Sequence, residues 1–204
     1  MLLSAALAPT GAVLPFRLVA FGGSAGAIPV LIDILARLPA TLAVPIVVVQ
    51  HLNAEWRSKL PAVLGFRTDL RCKWAERDEC PQPGSVYIAP PGRNVVITPT
   101  GLLRLVDGTK PRMGWPSVDM FMSSMAEALG PQAIGIILSG MLYDGAEGIA
   151  AVRRAGGATM VQHPATAVAR SMPEAAIDFG RADLSRSPAQ IAEAIEILME
   201  RGVQ

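Results

Sequence analysis

The chain has 204 residues, 51% of them hydrophobic, and a formal net charge of +1. A near-neutral chain with scattered Lys and Arg lacks the electrostatic footprint of a nucleic-acid binder, and its length suits a single α/β domain. The two cysteines, Cys72 and Cys80, have no C-x-x-C spacing and no neighbouring histidines, so reduced structural thiols are expected and no zinc site.

Residues 1–14 are apolar, but no Lys or Arg precedes the apolar run, and the run is too short to span a bilayer. Residues 1–15 are therefore expected to be an N-terminal extension, and 16–204 the folded domain, located in the cytoplasm and without a transmembrane segment. Leu18-Val19-Ala20-Phe21 then reads as a buried strand, and Ile28, Leu31, Ile32, Leu35 and Leu38 recur at helical spacing. Between them Gly22-x-Ser24-x-Gly26 fits G-x-S-x-G, in which small neighbours allow a sharp strand-to-helix turn and expose a hydroxyl near backbone N–H donors. Two uses fit this stretch equally: a seat for a nucleophile, or a glycine-rich turn that binds phosphate or caps a helix.

Pro45-Ile46-Val47-Val48-Val49-Gln50-His51 is a β-branched run closed by a polar pair, as expected of a central parallel strand with His51 at its C-terminal end. In parallel sheets the strand C-termini line the ligand crevice, so Ser24 and His51 should share one edge. Residues 56–64 suggest a short helix interrupted by Pro61, and 66–83 a charged, irregular stretch. Val86-Tyr87-Ile88, Val95-Val96-Ile97 and Leu102-Leu103-Arg104-Leu105 read as short strands between proline- and glycine-rich turns, an antiparallel hairpin appended to the sheet. Residues 110–115 should be a loop, and Ser117 an N-cap for a helix over 118–129.

The parallel pattern then resumes. A strand over 133–138 leads into Ser139-Gly140-Met141-Leu142-Tyr143-Asp144-Gly145 and a helix over 146–155, which puts Asp144 in a third loop at a strand C-terminus. A strand over 158–163, a short helix over 172–179 and a closing amphipathic helix over 188–201 complete the chain. The expected fold is a doubly wound, mostly parallel α/β sheet with helices on both faces and an appended antiparallel hairpin.

A serine hydroxyl becomes a competent nucleophile when an imidazole takes its proton, and the imidazole is a better base when a carboxylate fixes its tautomer. Ser24, His51 and Asp144 can fill those roles, though their order in the chain differs from the Ser, Asp/Glu, His order of α/β-hydrolases. A dinucleotide site is the alternative, but the turn lacks G-x-G-x-x-G spacing, and the second strand ends in Gln50-His51 where an acidic ribose-binding residue would be expected. A non-catalytic partner-binding domain, with Trp115 and Tyr143 walling off the pocket, is a further alternative.

The motifs taken together resemble the catalytic domain of the chemoreceptor protein-glutamate methylesterases, the CheB family. The matching pieces are the Gly-Gly-Ser-Ala-Gly turn, Gln50-His51, Tyr87-Ile88-Ala89-Pro90-Pro91-Gly92, Pro116-Ser117-Val118-Asp119, Ser139-Gly140-Met141 with Asp144-Gly145-Ala146-Glu147-Gly148, and Ser171-Met172-Pro173, in the family's order. The resemblance implies Ser24 as nucleophile, His51 as general base and then acid, and Asp144 as its orienting partner. It implies an oxyanion site formed by the backbone N–H groups of Met141 and Ala25, with Gly23, Tyr143 and His163 at the substrate, and neither cofactor nor metal. The implied reaction is hydrolysis of glutamyl methyl esters on cytoplasmic segments of chemoreceptors, with deamidation of glutamine as a second activity.

This sequence departs from the family at several positions. Leu142 stands where the family has a small residue, Trp115 replaces an arginine, Glu174 follows Met172-Pro173 where a basic residue is common, and His163 replaces Asp or Asn. A CheB-like esterase acting on a non-receptor substrate is accordingly the alternative within the family. The resemblance also implies a regulatory receiver domain; Ser24 lies too near the first residue to leave room for it here, so a receiver acting in trans is one expectation.

Overall fold

The computed structural model describes residues 16–54, 57–107 and 115–201. The N-terminal extension over 1–15, Trp56 at the expected helix start, and most of the expected 110–115 loop lie outside the described residues.

The apolar runs form a seven-stranded sheet in which every pairing is parallel. Its strands are β1 (Leu18–Gly23), β2 (Ile46–Gln50), β3 (Arg71–Trp74), β4 (Ser85–Ile88), β7 (Ala133–Ile137), β8 (Ala158–Gln162) and β9 (Leu184–Arg186), in the order β3-β4-β2-β1-β7-β8-β9. The central strands are buried along their whole length, as a sheet covered on both faces requires. On one face α1 (Ala27–Leu35), α2 (Leu60–Gly65) and α6 (Pro188–Arg201) pack against Val19, Phe21, Ile46, Val48, Ile134, Ile136 and Met160. On the other, α3 (Val118–Leu129), α4 (Ala146–Arg154) and α5 (Ser171–Asp178) pack against Leu18, Ala20, Val47, Val49, Ile137 and Val161. The doubly wound reading is therefore correct. The period-two alternation of each strand assigns successive residues to opposite helical layers.

Three local expectations need correction. Ser85–Ile88 belongs to the parallel sheet, paired to β2 and β3; only β5 (Asn94–Ile97) and β6 (Leu103–Val106) make the antiparallel hairpin, as a separate sheet. The proline- and glycine-rich turn after Ile88 suits a hairpin connection, but all of β4 is buried, and a strand covered on both faces pairs within the main sheet. The stretch 66–83 contains β3, an edge strand in which the charged Arg71 and Lys73 break up the apolar pattern. Pro61 sits in the first turn of α2 instead of interrupting it, where its missing N–H has no helical partner to lose.

The chain order places a topological switch between β1 and β7. From β1 the chain winds outward through β2 toward β4 and β3, then returns across the sheet to β7 and winds the other way through β8 to β9. Connections after β1 and β7 leave on opposite faces, so a crevice opens at their C-terminal ends. The hairpin braces this region: Asn94 Oδ1 accepts from Ser117 N at 2.8 Å, and Ile97 N donates to Ser124 Oγ at 3.0 Å, which ties β5 to the start and the middle of α3.

Candidate active site

Strand register brings Ser24 and His51 side by side. Gly23 pairs with Gln50, and His51 N donates to Gly23 O at 3.0 Å, so the next residue on each strand leaves the sheet at one level. Because successive strand residues alternate, Gln50 turns toward the α1 layer and His51 toward the α3 layer. Ser24 opens the turn into α1, with its N–H donating to Ser139 O at 3.0 Å across the switch point and Gly26, at φ 82°, as the helix N-cap.

Asp144 meets His51 from the other side of the crevice: His51 Nε2 lies 2.7 Å from Asp144 Oδ2. The carboxylate is 2% exposed and receives N–H bonds from Val118 (2.9 Å) and Asp119 (3.0 Å) at the first turn of α3, plus the Ser117 hydroxyl at 3.4 Å. Ser117 Oγ also accepts from Met120 N at 3.3 Å, the expected N-cap. The positive end of a helix thus faces the carboxylate. Burial pushes the Asp144 carboxyl up, but the bonds from His51, Asp119 N and Val118 N outweigh it and hold it below its ordinary value. With Nε2–H committed to this carboxylate, Nδ1 becomes the basic nitrogen of the neutral ring.

Asp119 supports this arrangement from behind. Its Oδ1 accepts from Gly145 N (2.9 Å) and Gly148 N (2.7 Å), pinning the turn that carries Asp144 to α3. Burial, and then the neighbouring Asp144 charge, push the Asp119 carboxyl up to about 7 against the two N–H bonds. Two adjacent carboxyls therefore separate, one held ionised and one held neutral through the acid range.

The segment after β7 closes the other side of Ser24. Gly140 fits so tightly that a Cβ there would lie 2.0 Å from Met172 Sδ and 3.1 Å from Ser24 Cβ. Its N–H donates to Ala169 O (2.9 Å) and its carbonyl accepts from Met172 N (3.0 Å), fixing the backbone just before Met141. Ser139 Oγ donates to Ala25 O at 2.8 Å, so the two segments expected to supply oxyanion donors, at Ala25 and Met141, are bonded together. Met141, Leu142 and Tyr143 project large exposed side chains at the rim. Gly23 lines the base of the turn. His163 follows β8, one strand further out, exposed, with Nδ1 accepting from Ala165 N at 3.2 Å within its own loop. Cys72 and Cys80 carry free thiols, and burial raises that of Cys72 to about 11, leaving it unreactive.

Sequence reasoning missed two side chains here. Gln50 Nε2 donates to Ser24 O (2.9 Å) and His51 O (3.2 Å), and Gln162 Oε1 accepts from Ser139 N at 2.9 Å. Their sequence signal is slight: a polar residue ending an otherwise apolar strand. The arrangement as a whole can deprotonate a hydroxyl and shelter a developing negative charge.

The family model for CheB methylesterase matches residues 19–195. A protein-glutamate methylesterase/protein-glutamine glutaminase of Carboxydothermus hydrogenoformans is 39% identical over 184 residues, 88% of this chain and 54% of that protein. The protein-glutamate methylesterase FrzG of Myxococcus xanthus is 36% identical over 187 residues, 90% of this chain and 56% of its own. The chain thus spans about half the length of these relatives. Among solved structures, the CheB methylesterase catalytic domain of Thermotoga maritima superposes with a TM-score of 0.85 at 32% identity, covering 90% of this chain and 100% of that one.

Proposed function

The chain belongs to the CheB methylesterase family, and from that membership we propose that it hydrolyses glutamyl methyl esters with Ser24, His51 and Asp144 as a catalytic triad. Ser24 Oγ attacks the ester carbonyl while His51 Nδ1 takes the hydroxyl proton, and Asp144 stabilises the imidazolium through Nε2–H. The N–H groups of Met141 and Ala25 receive the oxyanion. Collapse breaks the ester C–O bond, and His51 returns its proton to the departing methoxide, which leaves as methanol. His51 then deprotonates a water that attacks the acyl-enzyme, releasing glutamate and restoring Ser24. With a glutamine side chain the same sequence releases ammonia.

The observation that carries this reading is the 2.7 Å bond between His51 Nε2 and a carboxylate buried and anchored at the start of α3, next to the turn bearing Ser24. The proposed substrates are methylated cytoplasmic segments of chemoreceptors, and a receiver domain acting in trans is the proposed regulator. Among the described residues no helix is long and apolar enough to cross a membrane; the proposed site of action is the cytoplasm. A second reading keeps the chemistry and changes the substrate; the exposed Leu142 at the rim, where the family has a small residue, favours it.

The test is methanol release from methylated receptor membranes and from a small methyl ester, with wild type and Ser24→Ala. Release from both, abolished in the variant, is expected; turnover of the small ester alone would favour the second reading. No Ser24-dependent release from either would overturn the esterase reading.

A further inference from the structure

The two buried glutamines occupy matching places on either side of the β1–β7 pair. Gln50 ends β2 and pairs with Gly23 of β1; Gln162 ends β8, one residue past the Ile137–Val161 pair of β7 and β8. Both belong to the strand face that packs on α1, since the residues two and four positions earlier in each strand do so. They are 3% and 0% exposed. Each reaches inward beneath the loop of the neighbouring strand. Gln50 donates through one nitrogen to the carbonyls of both Ser24 and His51, while Gln162 accepts from Ser139 N and donates to Thr166 O at 2.9 Å and Thr166 Oγ1 at 3.2 Å. Ser139 Oγ completes the link to Ala25 O at 2.8 Å.

We propose that Gln50 is a positioning residue that sets Ser24 against His51, whereas Gln162, which holds the Ser139–Met141 segment, serves the fold. The inference rests on the esterase reading above. The two amides differ in how far their hydrogen bonding is satisfied. Gln162 is satisfied at both ends, as a structural glutamine would be. Gln50 is not: its Oε1 is buried with no partner among the described residues, a desolvation penalty that an apolar residue would avoid. Ser24 O accepts a second bond, from Ala27 N at 3.1 Å, so that carbonyl keeps a partner when the Gln50 donor is removed. What that donor adds is a fixed separation between the residues bearing nucleophile and base, and misplacement of reacting groups by about 1 Å costs on the order of a hundredfold in rate.

The test is steady-state hydrolysis of p-nitrophenyl acetate by wild type, Gln50→Met, Gln162→Met, Ser24→Ala and Gln50→Met with Ser24→Ala, with thermal melts of each. For Gln50→Met the expected result is kcat lowered about 10- to 100-fold, KM within about twofold, and an unchanged or raised melting temperature. Adding Gln50→Met to Ser24→Ala should produce no further loss, because the glutamine acts through the serine. Gln162→Met is the structural control: it should lower the melting temperature, since it strands the buried Ser139 N–H, and lower kcat only in step with that loss. Ser24-dependent turnover that Gln50→Met leaves within twofold of wild type, or lowers only in step with a fallen melting temperature, overturns the inference while sparing the esterase reading. Wild-type turnover independent of Ser24 removes both.

Discussion

Asp119 and Asp144 stand next to each other at the start of α3, yet their surroundings move them in opposite directions. Asp144 is stabilised as an anion, so its contribution to folding holds above the ordinary carboxylate range and is lost as pH falls through its lowered value. Asp119 behaves in the reverse sense. Between its ordinary 3.8 and its folded value of about 7 the native protein holds a proton that the unfolded chain has released, so stability from this group falls as pH rises across that window. Asp119→Asn, which keeps an Oδ1 acceptor for Gly145 N and Gly148 N, should therefore stabilise the protein at pH 8 by roughly 1–3 kcal/mol after allowance for partial exposure. The gain should vanish near pH 4. Urea denaturation at the two pH values checks this, and an equal gain at both would contradict it. At the same scale, Ser24→Ala and His51→Gln should reduce methanol release by similar factors, and the double variant little more, because members of the proposed triad would act as a unit. Multiplying losses would count against a shared mechanism.

Among the elements, the loop from Ser139 to Asp144 combines a constrained start with a strained middle. Leu142 adopts φ 67°, in the left-handed region, with its side chain 54% exposed. A branched residue there carries about 1–2 kcal/mol of backbone strain and buries too little surface to offset it. Leu142→Gly should raise stability by roughly 0.5–1 kcal/mol, the relieved strain less the extra freedom glycine gives the unfolded chain. A shift in the denaturation midpoint at constant slope would report it; a loss of stability would mean that the leucine side chain makes packing contacts worth more than the strain. The start of α3 shows the opposite economy. Ser117 caps the helix, Val118 and Asp119 direct their N–H groups at Asp144, and one turn of helix thereby serves both folding and the site.

For the molecule as a whole, function depends on how closely the two halves of the sheet and the α3 layer approach at the switch point. Gly22 shows how little room exists: a Cβ there would lie 2.2 Å from Val118 Cγ1, and neither residue can retreat because both are buried. Gly22→Ala should destabilise the fold by about 1–3 kcal/mol and lower activity by moving the α3 N-terminus away from Asp144. Val118→Ala, introduced with it, should recover part of the stability, since the colliding methyl is gone. Chemical denaturation of the single and double variants measures the coupling; independent, additive effects would show that the approach of helix and strand is not what limits the site.

Much of this was legible in the chain itself. The apolar periodicity marked β1, β2, β7, β8 and their helices, and the G-x-S-x-G turn, the strand ending in His51 and the loop bearing Asp144 marked the candidate site, because burial on both faces and sharp turns each demand particular residue types locally. The partners of those residues were a different matter. That β4 pairs within the main sheet, that Asp119 holds the Asp144 turn, and that Gln50 and Gln162 clamp the loops of neighbouring strands all depend on register between segments far apart in sequence. Hydrogen bonding across such distances leaves no periodic trace in the chain, so only the folded arrangement decides it.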